Sequence, residues 1–286
     1  MKPSVLKQAV RYGLLLLAVA IVAYPLVWMV TMAFKPYPEW TTAGTELTWW
    51  PRNPTWQNIE FLLHGRAKGL VVSLDKTIGQ PFLASLVTSI LGTAVAVVSG
   101  TLAAYAVVRY GVGQTLPMSV LQLRLFPPLA VMIPVMVMWA FFGAVDTWWG
   151  LSLIYGIVTL PFAFWLMKTF FDEVPIEIEE AARVDGCSHW RVFWRITLPI
   201  VKPGLATCAL FVFILNWSDY LLALLLTQKE WVTLPVYMAT LTSAMGGQMY
   251  GMKAALGVIA AIPPVIFGLL IQKHLVRGLT FGALKQ

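Results

Sequence analysis

EAARVDGCSHWRVFWRITLP, Glu180 to Pro199, is a long charged stretch set between segments built for lipid, and its reading decides how the whole chain is understood. Upstream, Pro175 suits a first helical position. Glu177, Glu179 and Glu180 load the first turns beside the positive end of the helix dipole, and Gly186 stands where a left-handed cap is wanted. One short helix is predicted to end there. Ser188 then caps a second, in which Val192, Phe193 and Ile196 share one face and Arg191 and Arg195 another, before Pro199 and Pro203 stop it. Periodicity alone also allows a plainer reading, an amphipathic loop lying on a membrane surface with its glutamates solvated.

The flanks settle the class. Hydrophobic residues make up 59% of the chain and charged ones only 12%, the balance of an integral membrane protein. Apolar runs near the ~20 residues needed to cross a bilayer recur at Tyr12–Phe34, Phe82–Val108, Leu125–Val145, Leu151–Phe171, Pro203–Thr227 and Lys253–Gln272. The fold class read from them is all-α: a polytopic membrane protein with six transmembrane helices. The alternation of a membrane barrel is absent, and unpaired backbone amides are too costly in hydrocarbon for other structures. Lys2, Lys7 and Arg11 ahead of the first run resemble a secretory signal. The run continues past Tyr24 and Pro25, beyond the roughly 7–15 residues of a signal core, so a retained first helix is expected.

Lys and Arg set the orientation. Most of the 20 basic residues fall in the N-terminus, the 109–124 loop, the 172–202 loop and the 273–286 tail, which are therefore cytoplasmic, as are both termini. The 35–81 loop is nearly charge-balanced and falls on the periplasmic side. The net charge of +7 needs no nucleic-acid partner, because basic loops follow from membrane insertion. Cys187 and Cys208 do not read as a disulfide. Cys187 and His189 lie close together, but His64 and His274 belong to other segments, so no metal site is expected.

The residues Glu180, Ala181, Ala182, Gly186, Ile196, Leu198 and Pro199 match, in order and spacing, the EAA motif of ABC importer permeases, and the chain resembles that family. The tail Gly278, Leu279, Thr280, Gly282, Ala283 and Lys285 is similar to the GLTxGAxK ending of its carbohydrate-uptake branch, the maltose and multiple-sugar type. Asn216, Trp217 and Asp219 resemble that branch's WN(D/E) element, here in the order Asn, Trp, Ser, Asp. The resemblance implies a type I importer permease of 1–286. Its partners would be a second homologous permease, two ATPase subunits, a periplasmic solute-binding protein and a carbohydrate substrate: a sugar, oligosaccharide, polyol or glycoside. The location implied is the bacterial inner membrane. The coupling set is Glu180, Ala181, Ala182, Asp185, Gly186, Val192, Phe193, Ile196, Leu198 and Pro199. Glu180 supplies the polar contact to the ATPase, Gly186 sets the turn, and Val192, Phe193 and Ile196 form the apolar anchor. Gly278, Thr280, Gly282 and Lys285 are expected to reach the ATPase, and Asn216, Asp219 and Tyr220 to line the pathway.

No GxxxxGK[ST] phosphate loop is present. The chain is therefore expected to bind no cofactor and catalyse nothing itself, with ATP and Mg held by the partner ATPase. Asp219, the acidic residue well inside an apolar run, reads either as a pathway residue or as an interfacial residue capped by Ser218 or Asn216. Pro127, Pro128, Pro134, Pro263 and Pro264 are expected to break regular bonding in the third and sixth helices. An ion-coupled secondary transporter, the alternative, usually carries several buried ionisable groups. An intramembrane enzyme would need a nucleophile and base or a metal cluster on facing helices.

Overall fold

A computed structural model describes residues 5–41, 48–66, 77–113, 115, 119, 122, 128–243 and 247–281 of the chain. Its regular elements are helices α1 (Val5–Ala33), α2 (Tyr37–Thr41), α3 (Gln57–His64), α4 (Gly79–Tyr110), α5 (Pro128–Phe141), α6 (Trp148–Asp172), α7 (Ile176–Val184), α8 (His189–Ile200), α9 (Lys202–Trp217), α10 (Leu221–Leu226), α11 (Leu234–Thr240) and α12 (Tyr250–Phe281). A two-residue antiparallel ladder pairs Thr242 with Gln248 and Ser243 with Gly247. α1, α4, α6 and α12 are each long and apolar enough to cross a bilayer, α8 and α9 form a pair bent by 75°, and α5 is a shorter apolar helix.

The chain packs as two compact units: one runs to Gly79 and includes Met238–Ile262, the other comprises Gln80–Tyr237 and Pro263 onward. In the first, the described residues just after α1 are held by specific bonds. Asn58, buried, donates at 2.8 Å to the carbonyls of Ala33 and Lys35, satisfying acceptors that the end of α1 leaves open. The Lys35 ammonium donates to the Thr48 carbonyl and lies 4.6 Å from the centre of the Trp28 ring. Glu39 accepts from the backbone N–H groups of Arg52 and Asn53 at 3.1–3.2 Å.

The second unit is organised by α4. Ala84, Thr88, Gly92, Ala96, Gly100 and Ala104 recur every four residues on one face, and all are buried. Such a stripe lets helix backbones approach closely where no hydrophobic effect drives them together. A Cβ on Gly92 would stand 2.7 Å from the Cβ of Tyr155. One on Gly156 would stand 2.5 Å from Val95 Cγ1. Polar contacts add direction: Asn216 Nδ2 donates to Thr93 Oγ1 at 3.3 Å, and the Ser85 hydroxyl accepts from the Leu234 N–H at 2.7 Å, at the start of α11.

Pro134 lies inside α5 and Pro263 and Pro264 inside α12, where each lacks the N–H that regular helical bonding uses; Pro128 begins α5, and Pro127 falls outside the described residues. One expectation is corrected here. The fifth run is not one helix. It stops at Trp217 and restarts at Leu221, because Ser218 turns its hydroxyl back onto the Ile214 carbonyl at 2.6 Å while Asp219 Oδ2 accepts the Ala223 N–H at 3.2 Å, capping a new helix.

Candidate functional site

The EAA stretch forms two short helices meeting at a glycine turn. α7 starts at Ile176, with Pro175 in the flanking position, and Glu177 and Glu179 in its first turn. Gly186 has φ +83°, and a Cβ there would meet nothing within 4 Å, so the left-handed backbone rather than crowding calls for glycine. The Cys187 N–H bonds the Ala182 carbonyl and the Gly186 N–H the Arg183 carbonyl, both at 3.0 Å, closing α7. Ser188 caps α8 by accepting the Arg191 N–H at 3.4 Å.

Pro199 does not stop α8. Residues Phe193–Thr197 widen into a π turn in which the Leu198 N–H reaches the Phe193 carbonyl, and the helix continues through Pro199 to Ile200. The added residue per turn absorbs the missing proline donor. The chain then bends at Val201, and Pro203 falls in the first turn of α9.

Burial sorts the coupling residues differently from their sequence reading. Glu180, Ala181, Asp185 and Gly186 are exposed, Glu180 making only a loose pair with Arg183 at 3.8 Å. Ile196 and Leu198 are half-buried, and Pro199 is exposed. Val192 and Phe193 are buried, with Phe193 against the Tyr105 ring at 4.7 Å and in one core with Ala104, Phe171 and Val174. An anchor for a partner has to be exposed, so these two residues root the loop in its own chain. The most exposed large apolar side chains of the loop are instead Val184, at 88%, and Trp190, with Ile176, Ile178, Trp194 and Ile200 exposed to a smaller degree.

The polar residue that ties the loop to its own chain is Glu179. Its carboxylate accepts from Arg109 Nε at 2.7 Å and from the Tyr105 hydroxyl at 2.9 Å, and Arg109 Nη2 donates to the Val174 carbonyl at 2.9 Å. Sequence reasoning missed Tyr105 and Arg109. The available signal was their four-residue spacing at the end of α4, together with a face of α7 on which Glu179 precedes Ala182 by three.

The pathway residues separate in the same way. Asn216 is buried and donates to Thr93 Oγ1, which joins α9 to α4. Asp219 is half-buried at the break between α9 and α10. The buried Tyr155 hydroxyl, with no hydrogen bond of ordinary geometry among the described residues, faces its carboxylate. Tyr220 is exposed.

Residues 96–281 match the family model described as the binding-protein-dependent transport system inner membrane component. The chain belongs to this family. It is 35% identical to the trehalose/maltose transport system permease protein MalG of Thermococcus litoralis, the match covering 100% of this chain and 99% of that one. It is 32% identical to the trehalose transport system permease protein SugB of Mycobacterium tuberculosis over 94% of each. Among solved structures, a bacterial ABC transporter importing alginate shares the fold with a TM-score of 0.75 at 22% identity, covering 94% of this chain and 96% of that one. As a member of this family the chain is a transport subunit and not an enzyme. Of the tail residues, Gly278 and Thr280 are in the last turns of α12, while Gly282 and Lys285 lie outside the described residues.

Proposed function

We propose that this permease forms half of the membrane pathway of an ATP-driven importer of a sugar, oligosaccharide, polyol or glycoside. Its 172–202 loop is the contact with the ATPase. Six spans (α1, α4, α5, α6, the α8–α9 pair and α12) with both termini in the cytoplasm would put that loop on the ATPase side. A second homologous permease, two ATPase subunits and a periplasmic binding protein complete the assembly. Relatives named for trehalose, maltose and galactooligosaccharides support the carbohydrate class.

The observation that carries the coupling role is the loop's division into a buried root and an exposed tip. Val192, Phe193 and Glu179 are spent inside the chain, whereas Glu180, Val184 and Trp190 are presented outward around the Gly186 turn. A partner groove would then receive Val184 as the apolar contact and Glu180 as the polar one, displacing the loop and with it the attached helices. Asp219 and Tyr220 remain the pathway candidates, and the 278–286 segment a second ATPase contact. Val184→Asp is expected to leave the permease inserted and folded while reducing the ATPase that co-purifies with it. Undiminished co-purification would refute the assignment of this tip.

A further inference from the structure

The coupling loop is joined by chain to α6 and α9, yet its most deeply buried polar contacts run to neither. They run to α4. Tyr105 and Arg109 are four residues apart, so both reach out from one face of the last turns of that helix. Arg109 Nε takes Glu179 Oε1 at 2.7 Å, the Tyr105 hydroxyl takes Oε2 at 2.9 Å, and Arg109 Nη2 takes the Val174 carbonyl at 2.9 Å. The Arg109 and Glu179 side chains are only 7% and 6% exposed.

Geometry distinguishes this knot from the apolar packing around it. Hydrophobic contacts are non-directional, so they resist separation better than sliding. A charge-assisted fork fixes distance and direction together. In a site this closed, removing one partner also strands the other charge. The small-residue stripe that brings α4 against α6 ends at Ala104, next to Tyr105, so close packing and directional bonding meet at the same end of the helix.

We infer that Glu179, Arg109 and Tyr105 are a positioning clamp that makes α4 and the coupling loop move as one rigid body. ATPase-driven displacement then enters the membrane through a helix with no direct chain link to the loop, as well as through α6 and α9. The inference rests on the reading of 172–202 as the ATPase contact. None of the three residues has to touch the solute.

Spin labels at Val184→Cys, in the loop, and Val112→Cys, just beyond α4, test this, since both side chains are exposed. Cys187 is replaced by Ser, and Cys208 is buried. The distance is measured in the permease–ATPase complex without nucleotide and after trapping with ATP and vanadate. In the otherwise unmodified protein one narrow distance, the same in both states, is expected. Glu179→Gln, close in shape but uncharged, is expected to broaden it and shift it on trapping. Arg109→Met should do the same, with Arg109→Lys restoring part of the narrow component because it keeps the charge but not the fork. A role confined to assembly would lower the yield of complex without making the distance depend on nucleotide. An unchanged single distance in Glu179→Gln overturns the clamp, as does a state-dependent distance in the unmodified protein that retains its ATPase. Failure of the unmodified protein to retain the ATPase instead overturns the coupling reading.

Discussion

Gly100→Ala should loosen the contact between α4 and α6. A methyl group there would stand 2.9 Å from Ala163 Cβ and from the Phe164 backbone nitrogen, and 3.1 Å from the Ala163 carbonyl carbon. Carbon atoms rest about 3.5–4.0 Å apart, so the helices must part by roughly 0.6–1.1 Å. Two of the three obstructing atoms are α6 backbone, which cannot swing aside as a side chain can. Parting also opens the buried neighbours Ala96 and Ala104 on the same stripe. Overpacking of this kind costs about 1–3 kcal/mol. Alanine's better helix propensity returns about 0.8–1 kcal/mol, leaving a net loss of up to about 2 kcal/mol. Gly13→Ala is the control, because its Cβ meets nothing within 4 Å and only the propensity gain remains. Thermal unfolding of the detergent-purified permease should rank Gly100→Ala below the parent protein and Gly13→Ala at or above it. A Gly100→Ala protein that melts with the parent, or a Gly13→Ala protein that falls as far, would refute the close-approach argument.

Gly186→Val should leave insertion intact but uncouple ATP hydrolysis from uptake. There is room for the side chain, and a left-handed β-branched residue still costs about 1–2 kcal/mol locally and re-aims α8; parental uptake would count against it. Asp146 is expected to hold the 228–231 segment. Burial alone would raise its pKa, but the backbone N–H groups of Glu230, Trp231 and Lys229 outweigh that and hold it below the ordinary carboxylate value. Its stabilisation is therefore present above about pH 3.9 and is lost as pH falls through the lowered folded value. Asp146→Asn should expose the Lys229–Trp231 amides to faster hydrogen exchange at neutral pH, and unchanged exchange would dismiss this anchor. Asp219→Asn keeps an oxygen for the Ala223 N–H but loses the charge. Reduced uptake at unchanged melting temperature would assign that charge to the pathway, and full uptake would leave it a helix cap.

Several features followed from the sequence because their causes are local. The long apolar runs became helices since hydrocarbon leaves the backbone no other partner, and the turn at Gly186 and the cap at Ser188 depend on a few neighbouring residues. The EAA spacing likewise identified the loop without any knowledge of its contacts. Other features needed the tertiary structure. Sequence position does not say which of two adjacent glutamates faces inward. Glu179 does so because α4 brings Tyr105 and Arg109 to it across some seventy residues of chain, while Glu180, about 100° further round the helix, is left to the outside. The same packing buries Val192 and Phe193 inside the chain and ties Asn216 to Thr93. Sequence alone determined the long apolar helical segments, the glycine turn of the coupling loop and which loop is distinctive. Only the packing of distant helices decided which side chains on those elements are enclosed and which are free to meet a partner, because burial depends on what arrives from elsewhere in the chain.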